Sequence, residues 1–364
     1  MTNTSTFGTV ADYDAALEKL KAACGPIILE ALNDSAVVEI LVNPDGKLWI
    51  EAHGKGMYIA DPAFSAERAN EILTLTASMQ RATQATNSAI IEGEFPIDGS
   101  RVAGLLPPLV KGPTFSLRKR SPSVFSLEDY QQSGIIKPIG AAPVRLGTDI
   151  AMGKARSFVH PTDAIREAVS LRKNILIVGG TGSGKTTLTN AVLQEIGVQC
   201  PRDRIVAIED TMELQVSVAN NALLRTSKEV DMRALLRVTM RLRPDRIIVG
   251  EVRGGEAYTL LKSWNSGHPG GVATMHANSA EEGLQKLAHY IFEDPAAQSF
   301  PPETIGWMIA SAVNLVVVIE KTPAAPGRTV SEICEVTGYM NDRYNMNVLR
   351  MQTSSGRSEF KPRI

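Results

Sequence analysis

Nine consecutive residues carry a spacing with a definite chemical use. Gly179-Gly180-Thr181-Gly182-Ser183-Gly184-Lys185-Thr186-Thr187 fits G-x-x-x-x-G-K-[ST]. Glycines at these positions let the backbone curl until successive N–H groups point at one phosphate, and Lys185 adds a point charge for the outer phosphate oxygens. The Thr186 hydroxyl is of the type that ligates Mg²⁺ beside a nucleotide. The apolar run Asn174-Ile-Leu-Ile-Val178 leads straight into the loop, and Leu188, Ala191, Val192 and Ile196 recur on one helical face after it. Strand, glycine loop and helix in this order imply nucleotide binding.

Hydrolysis needs, in addition, a carboxylate at the C-terminal end of a neighbouring parallel strand. Two apolar runs end in one: Arg204-Ile-Val-Ala-Ile208 in Glu209-Asp210, and Arg246-Ile-Ile-Val249 in Gly250-Glu251. Spacing leaves open which glutamate orients a water and which serves the metal shell; Asp210 reads as a turn or cap residue. His276 closes a further apolar strand in Gly270-Gly-Val-Ala-Thr-Met-His276-Ala-Asn278. There it can sense a γ-phosphate or bond a glutamate, and a purely structural role competes with that reading. His53, His160, His268 and His289 read as structural or surface residues.

Arginines are dense around the Glu251 strand, at Arg233, Arg237, Arg241, Arg243, Arg246 and Arg253, with Arg101, Arg118, Lys119 and Arg120 further upstream. A nucleic-acid surface would interleave aromatics and carry a net positive field. Here 38 Lys and Arg stand against 39 Asp and Glu, a net charge of −1, so no strong intrinsic nucleic-acid binding is expected. Arginine fingers and subunit-interface pairs suit the cluster better, with simple solvation as the alternative for Arg233.

The elements that must position these groups follow from periodicity. Residues 12–32 form a helical entry broken at Gly25-Pro26, 37–42 and 47–51 a hairpin about the turn Asn43-Pro-Asp-Gly46, and 66–80 a helix before short strands in 90–120. These make an N-terminal α+β domain over 1–120. A Pro/Gly/Ser/Ala-rich stretch, 121–153, reads as an interdomain linker with one short helix near 127–132. From 154 to 351, near-continuous apolar strands alternate with helices, which predicts a parallel sheet covered on both faces. Residues 352–364 are polar and predicted disordered.

A chain of 364 residues accommodates two domains at about 150 residues each. Its 43% hydrophobic and 21% charged residues exclude intrinsic disorder. Cys24, Cys200 and Cys334 form no C-x-x-C pair and read as buried reduced thiols. Residues 1–8 lack the basic and apolar regions of a secretory signal and read as a frayed tail. The apolar stretch 305–319 is too short and too polar to span a membrane and reads as a buried helix running into a strand.

Taken in order, the loop 179–188, Ile208-Glu-Asp-Thr-Met-Glu-Leu214, Leu242-Arg-Pro-Asp-Arg-Ile-Ile-Val-Gly-Glu-Val-Arg253 with Glu256-Ala257, and Thr274-Met-His-Ala-Asn278 resemble the Walker A, Asp, Walker B and His boxes of the type II/type IV secretion ATPases. The segments 38–51 and 115–120 resemble the conjugal-transfer, TrbB-type branch, and the likeness spans about residues 12–345. The four-cysteine zinc module of many type II and pilus-assembly members is absent. The resemblance implies a RecA-like ATPase domain behind a smaller α+β domain, and a homohexamer that binds ATP and Mg²⁺ where its two domains meet. It implies a motor on the cytoplasmic face of the inner membrane, working with secretion-channel components and a coupling ATPase to power pilus assembly or DNA-protein transfer. A motor for pilus extension or retraction is the alternative, followed by a nucleic-acid translocase and an ATP-binding regulatory scaffold. On this resemblance Lys185, Glu209, Glu251 and His276 are catalytic. Thr186, Glu209 and Glu251 serve the metal, and Arg101 and Arg118 reach the γ-phosphate.

Overall fold

The break expected at Gly25-Pro26 shows how local chemistry sets the first unit. Helix α1 (Val10–Asn33) contains Gly25 at φ 64°, a left-handed turn that glycine adopts without a Cβ penalty, and Pro26 supplies no N–H to continue the ladder. Arg68 of α2 (Ala66–Gln80) donates to the carbonyls of Ala23 (3.0 Å) and Cys24 (2.9 Å) beside the break. The computed structural model describes residues 10–52, 54–80, 89–119, 124–138, 157–227, 229–351 and 358–363. The tail at 1–8, His53, Arg120 and most of the expected linker lie outside these.

The chain divides into two compact units, residues 1–123 and 124–364. In the first, β1 (Val37–Val42), β2 (Leu48–Ala52), β3 (Gly56–Asp61), β4 (Ile90–Glu94), β5 (Arg101–Leu105) and β6 (Thr114–Arg118) form one antiparallel sheet ordered β3-β2-β1-β6-β5-β4. Leu20 and Ile28 of α1 and Ile72 and Leu73 of α2 close its core over Ile40, Leu48 and Leu117. Strand β3 was not expected. It lies at the sheet edge and exposes Met57, Tyr58 and Ile59 in succession, so its sequence lacks the apolar/polar alternation that marks a half-buried strand.

The second unit runs α3 (Leu127–Gln132), β7 (Ser157–Phe158), α4 (Pro161–Ser170), β8 (Ile175–Val178), α5 (Lys185–Gln199), β9 (Ile205–Glu209), β10 (Asn221–Arg225), α6 (Met232–Thr239), β11 (Arg246–Val249), α7 (Glu256–Asn265), β12 (Val272–Met275), α8 (Ala280–Phe292) and α9 (Pro302–Ala312), then β13 (Leu315–Lys321), β14 (Arg328–Met340), β15 (Arg343–Met351) and β16 (Ser358–Pro362). Its sheet is ordered β10-β9-β11-β12-β8-β13-β14-β15-β16-β7, parallel as far as β13 and antiparallel beyond. Alternate residues of β8 and β13 serve opposite faces: Leu176, Val178, Val316 and Val318 pack under α6 to α9, and Ile175, Ile177, Leu315 and Val317 under α3 to α5. Burial on both faces explains why these strands read as unbroken apolar runs.

Three expectations need correction. Residues 124–138 belong to the second unit, because Leu127, Tyr130 and Ile136 are buried in its core beside Ile165 and Leu188. The tail is partly ordered: β16 extends the sheet between β15 and β7, with Ser358 buried and the Phe360 ring edge-on to Phe158 at 5.8 Å. A strand that pairs its backbone on both sides needs few apolar side chains, which is why its polar composition misleads. Arg246 is likewise no finger. It is 1% exposed and donates to Asp203 Oδ2 (2.7 Å) and to the carbonyls of Gly270 and Val169 (3.1 Å each), clamping the edge where β11 begins.

The three cysteines are unpaired, and burial pushes the thiols of Cys24 and Cys334 up to about 12. Among the described residues, no helix is long and apolar enough to cross a membrane.

Candidate active site

Strands β8, β9, β11 and β12 run parallel, so the segments that leave their C-terminal ends, residues 179–187, 210–214, 250–253 and 276–278, emerge along one edge of the sheet. The first is the glycine loop. Gly182 (φ 67°) and Gly184 (φ 100°) take left-handed conformations, and α5 begins at Lys185 behind an N-cap that makes no side-chain hydrogen bond. The first-turn N–H groups of α5 are therefore not capped by a side chain, which suits an anion. Ser183 Oγ is buried without a hydrogen-bond partner among the described residues. A loop with left-handed glycines, an uncapped helix start and an orphaned hydroxyl fits a polyphosphate. Gly179, Gly180 and Thr181 lead into it, and Thr186 and Thr187, half-buried, follow Lys185 on the first turn of α5.

The Lys185 ammonium donates to the carbonyls of Gly179 (3.0 Å) and Gly180 (3.1 Å) and stands 3.2 Å from His276 Nδ1. An ammonium only donates, so Nδ1 accepts and the ring proton sits on Nε2. Nε2 in turn lies 2.8 Å from Glu251 Oε1, and the N–H donates to the carboxylate. Partial burial and the Lys185 charge hold His276 below its ordinary value against the opposing pull of Glu251, consistent with a neutral imidazole.

The other Glu251 oxygen meets Arg253, through Nε at 2.6 Å and through a terminal nitrogen. Arg253 reaches Asp210 Oδ2 at 3.2 Å, and Asp210 accepts from the Thr226 hydroxyl at 2.8 Å. Partial burial opposes the Arg253 charge, but the hydrogen bond and charge of Glu251 push its affinity for the proton up. Glu256 turns back from the first turn of α7 to accept the backbone N–H of Arg253 (2.6 Å) and Gly254 (3.0 Å), fixing the segment that carries the guanidinium. A cleft of about 210 Å³ opens here, lined by Asp210, Asp231, Arg233, Glu251, Arg253 and Glu256.

Glu209 is placed differently. It is buried, and its Oε1 accepts the backbone N–H groups of Glu213 and Leu214, both at 2.9 Å, so it organises the loop after β9. Gly250 permits this packing, since a Cβ there would stand 2.8 Å from Glu209 Cγ.

Of the expected residues, the structure joins Lys185, His276 and Glu251 in one hydrogen-bonded chain. Arg101 and Arg118 lie in the first unit as direct cross-strand partners on β5 and β6, and among the described residues neither guanidinium has a hydrogen-bond or ion-pair partner. In sequence Arg253 reads as one of a cluster of fingers or interface arginines and Asp210 as a turn or cap residue, and the structure instead pairs both beside Glu251. The signal was present in Glu251-Val252-Arg253, since residues two apart on an extended segment share a face. Other histidines do structural work: His160 Nδ1 caps α4 by accepting from Thr162 N at 3.2 Å. Arg233 pairs with Asp294 at 3.4 Å.

Residues 152–344 match the family model described as "Type II/IV secretion system protein". The chain is 46% identical over 330 residues to a probable conjugal transfer protein TrbB of Sinorhizobium fredii, covering 91% of this chain and 92% of the relative. It is 43% identical to conjugal transfer protein TrbB of Rhizobium radiobacter, over 90% of this chain and 92% of that one. Among solved structures, the pilus retraction motor PilT shares the fold, with a TM-score of 0.59 at 17% identity over 90% of this chain and 83% of its own. The chain belongs to the type II/IV secretion system protein family, as a P-loop ATP-hydrolysing enzyme on a RecA-like sheet.

Proposed function

We propose that this chain is the ATP-driven motor of a conjugative type IV secretion system and hydrolyses ATP through Glu251. The observation that carries the catalytic part is the chain Lys185–His276–Glu251–Arg253 at the mouth of the glycine loop. The conjugative role rests on the likeness to conjugal transfer proteins along nine-tenths of the chain.

The nucleotide's phosphates take the loop N–H groups and the start of α5, and Lys185 exchanges the Gly179 and Gly180 carbonyls for phosphate oxygens. His276 and Arg253 hold the two Glu251 oxygens, so the carboxylate is fixed in position before substrate arrives. A water attacks the γ-phosphorus while its proton passes to Glu251, and the bond to the β-phosphate oxygen breaks to release ADP and phosphate.

Among the described residues no cluster of three or more His, Cys, Asp or Glu could hold a metal alone. Mg²⁺ would arrive on the nucleotide and be received by the Thr186 hydroxyl, since His276 and Arg253 hold the Glu251 oxygens and Glu209 Oε1 accepts two backbone N–H groups. When bound, Mg²⁺ neutralises charge on the β- and γ-oxygens.

The working form is a homohexamer at the cytoplasmic face of the inner membrane, in contact with secretion-channel components and a coupling ATPase. The test replaces the chromosomal or plasmid copy with Glu251→Gln and counts transfer events, alongside affinity capture of both forms from native membranes. The proposal expects transfer to collapse and channel components to co-purify with both forms. Undiminished transfer, or capture of a pilus-retraction apparatus in their place, would overturn it.

A further inference from the structure

Two cations beside the glycine loop are not used by the mechanism above. Lys321 ends β13 and Arg328 begins β14, and the two are direct cross-strand partners. The Lys321 ammonium stands 2.9 Å from where a Cβ on Gly182 would be, and a terminal nitrogen of Arg328 stands 2.6 Å from the same point on Gly184. Both glycines are in left-handed conformations, so the hairpin packs directly on the limb of the loop that enters α5. Among the described residues neither cation has a hydrogen-bond or ion-pair partner, although the hairpin also carries Glu320 and Glu332. Adjacent like charges on opposed strands repel, so a bound anion between them would be favoured by both. A loop that already presents N–H groups to an anion is thus bordered by two uncommitted positive charges.

We infer that Lys321 and Arg328 are nucleotide-binding residues that contact the phosphate chain on the side away from the bond that breaks. The inference rests on the reading of residues 179–187 as the phosphate site. The direction follows from the loop itself. Lys185 gathers at the Gly179 and Gly180 carbonyls with His276 and Glu251, which marks the end where chemistry occurs. Gly182 and Gly184 form the other limb. Contacts made there exist equally in the ground state and the transition state, and with ADP as with ATP, so they add affinity without adding to the chemical step.

The test measures equilibrium binding of ADP and of ATP, and steady-state hydrolysis, for wild type, Lys321→Gln, Arg328→Gln, the double variant, Lys321→Arg, and Lys361→Gln on β16 as a charge control. Each neutral substitution is expected to weaken ADP and ATP alike by about three- to thirtyfold at low salt, with the deficit in Kd and KM rather than kcat. The deficit shrinks as salt rises, Lys321→Arg retains most of the affinity, and Lys361→Gln binds as wild type does. Circular dichroism and the thermal midpoint check that the fold is retained. Affinities unchanged within twofold in the double variant, or a kcat loss at unchanged Kd, would overturn the inference while leaving the loop assignment intact. If wild type bound no nucleotide, or Lys185→Ala bound it normally, the underlying site reading would be what failed.

Discussion

Glu251→Gln separates binding from chemistry. Gln keeps the shape of the side chain, so the fold and the glycine loop stay in place. What changes is that one carboxylate oxygen becomes an NH₂ group. Glu251 now accepts from His276 at one oxygen and from Arg253 at the other. An amide satisfies only one of these donors and faces the second with a donor of its own. More directly, the amide takes no proton from water. Loss of a positioned general base lowers the rate by about 10²- to 10⁴-fold, or roughly 3–5.5 kcal/mol on the barrier. Binding moves the other way, since removing a negative charge from a site meant for phosphates leaves Kd unchanged or tighter. Glu209→Gln is the internal comparison. Its oxygen accepts two backbone N–H groups, and an amide oxygen accepts them too, so kcat falls less than about tenfold on this account. Single-turnover phosphate release, read with equilibrium binding of ATP, measures both. A Glu251→Gln enzyme retaining more than about a tenth of the wild-type rate, or a larger loss in Glu209→Gln, would refute the assignment.

Further outcomes follow from the same geometry. His276 is held below its ordinary 6.5 by burial and Lys185, so the neutral ring that accepts from Lys185 persists to below that pH. As pH falls further, Nδ1 gains a proton and can no longer accept. The pH–kcat profile therefore has an acid limb below 6.5 that His276→Asn removes. Asp203→Ala leaves the buried Arg246 guanidinium without its counter-charge and also releases Arg172; chemical denaturation should show a loss of about 3–5 kcal/mol with little change in ATP affinity of the folded fraction. Ending the chain before residue 358 removes β16, uncovers the Phe158 ring and leaves β15 as an edge, so the thermal midpoint drops and the truncated protein aggregates more readily on heating.

The glycine loop was legible because its chemistry is local: strand, glycines, lysine and helix are contiguous, and each type is required at its place. The same holds for the helix break at Gly25-Pro26, where two residues with opposite backbone demands stand together. Glu251 and His276 were legible as strand ends, but their contact was not, since it depends on β11 and β12 being neighbours in the sheet. The roles of the two glutamates separate only in three dimensions, where the N–H groups of Glu213 and Leu214 claim Glu209. Arg246 misled because a dense run of arginines resembles a functional surface, whereas burial and Asp203 turn this one into a clamp. Strand β16 was hidden for a related reason. Its stability comes from backbone pairing on both sides, which polar composition does not register.

The central claim is that residues 179–187 hold the phosphates of ATP for hydrolysis. The most direct measurement is the rate of phosphate release from ATP by the purified full chain, compared with Lys185→Ala and accompanied by nucleotide binding. Wild type is expected to turn over steadily. In the variant, turnover falls to background with binding lost or strongly weakened, because the charge now parked on the Gly179 and Gly180 carbonyls is gone. Turnover by Lys185→Ala near the wild-type rate would contradict the claim.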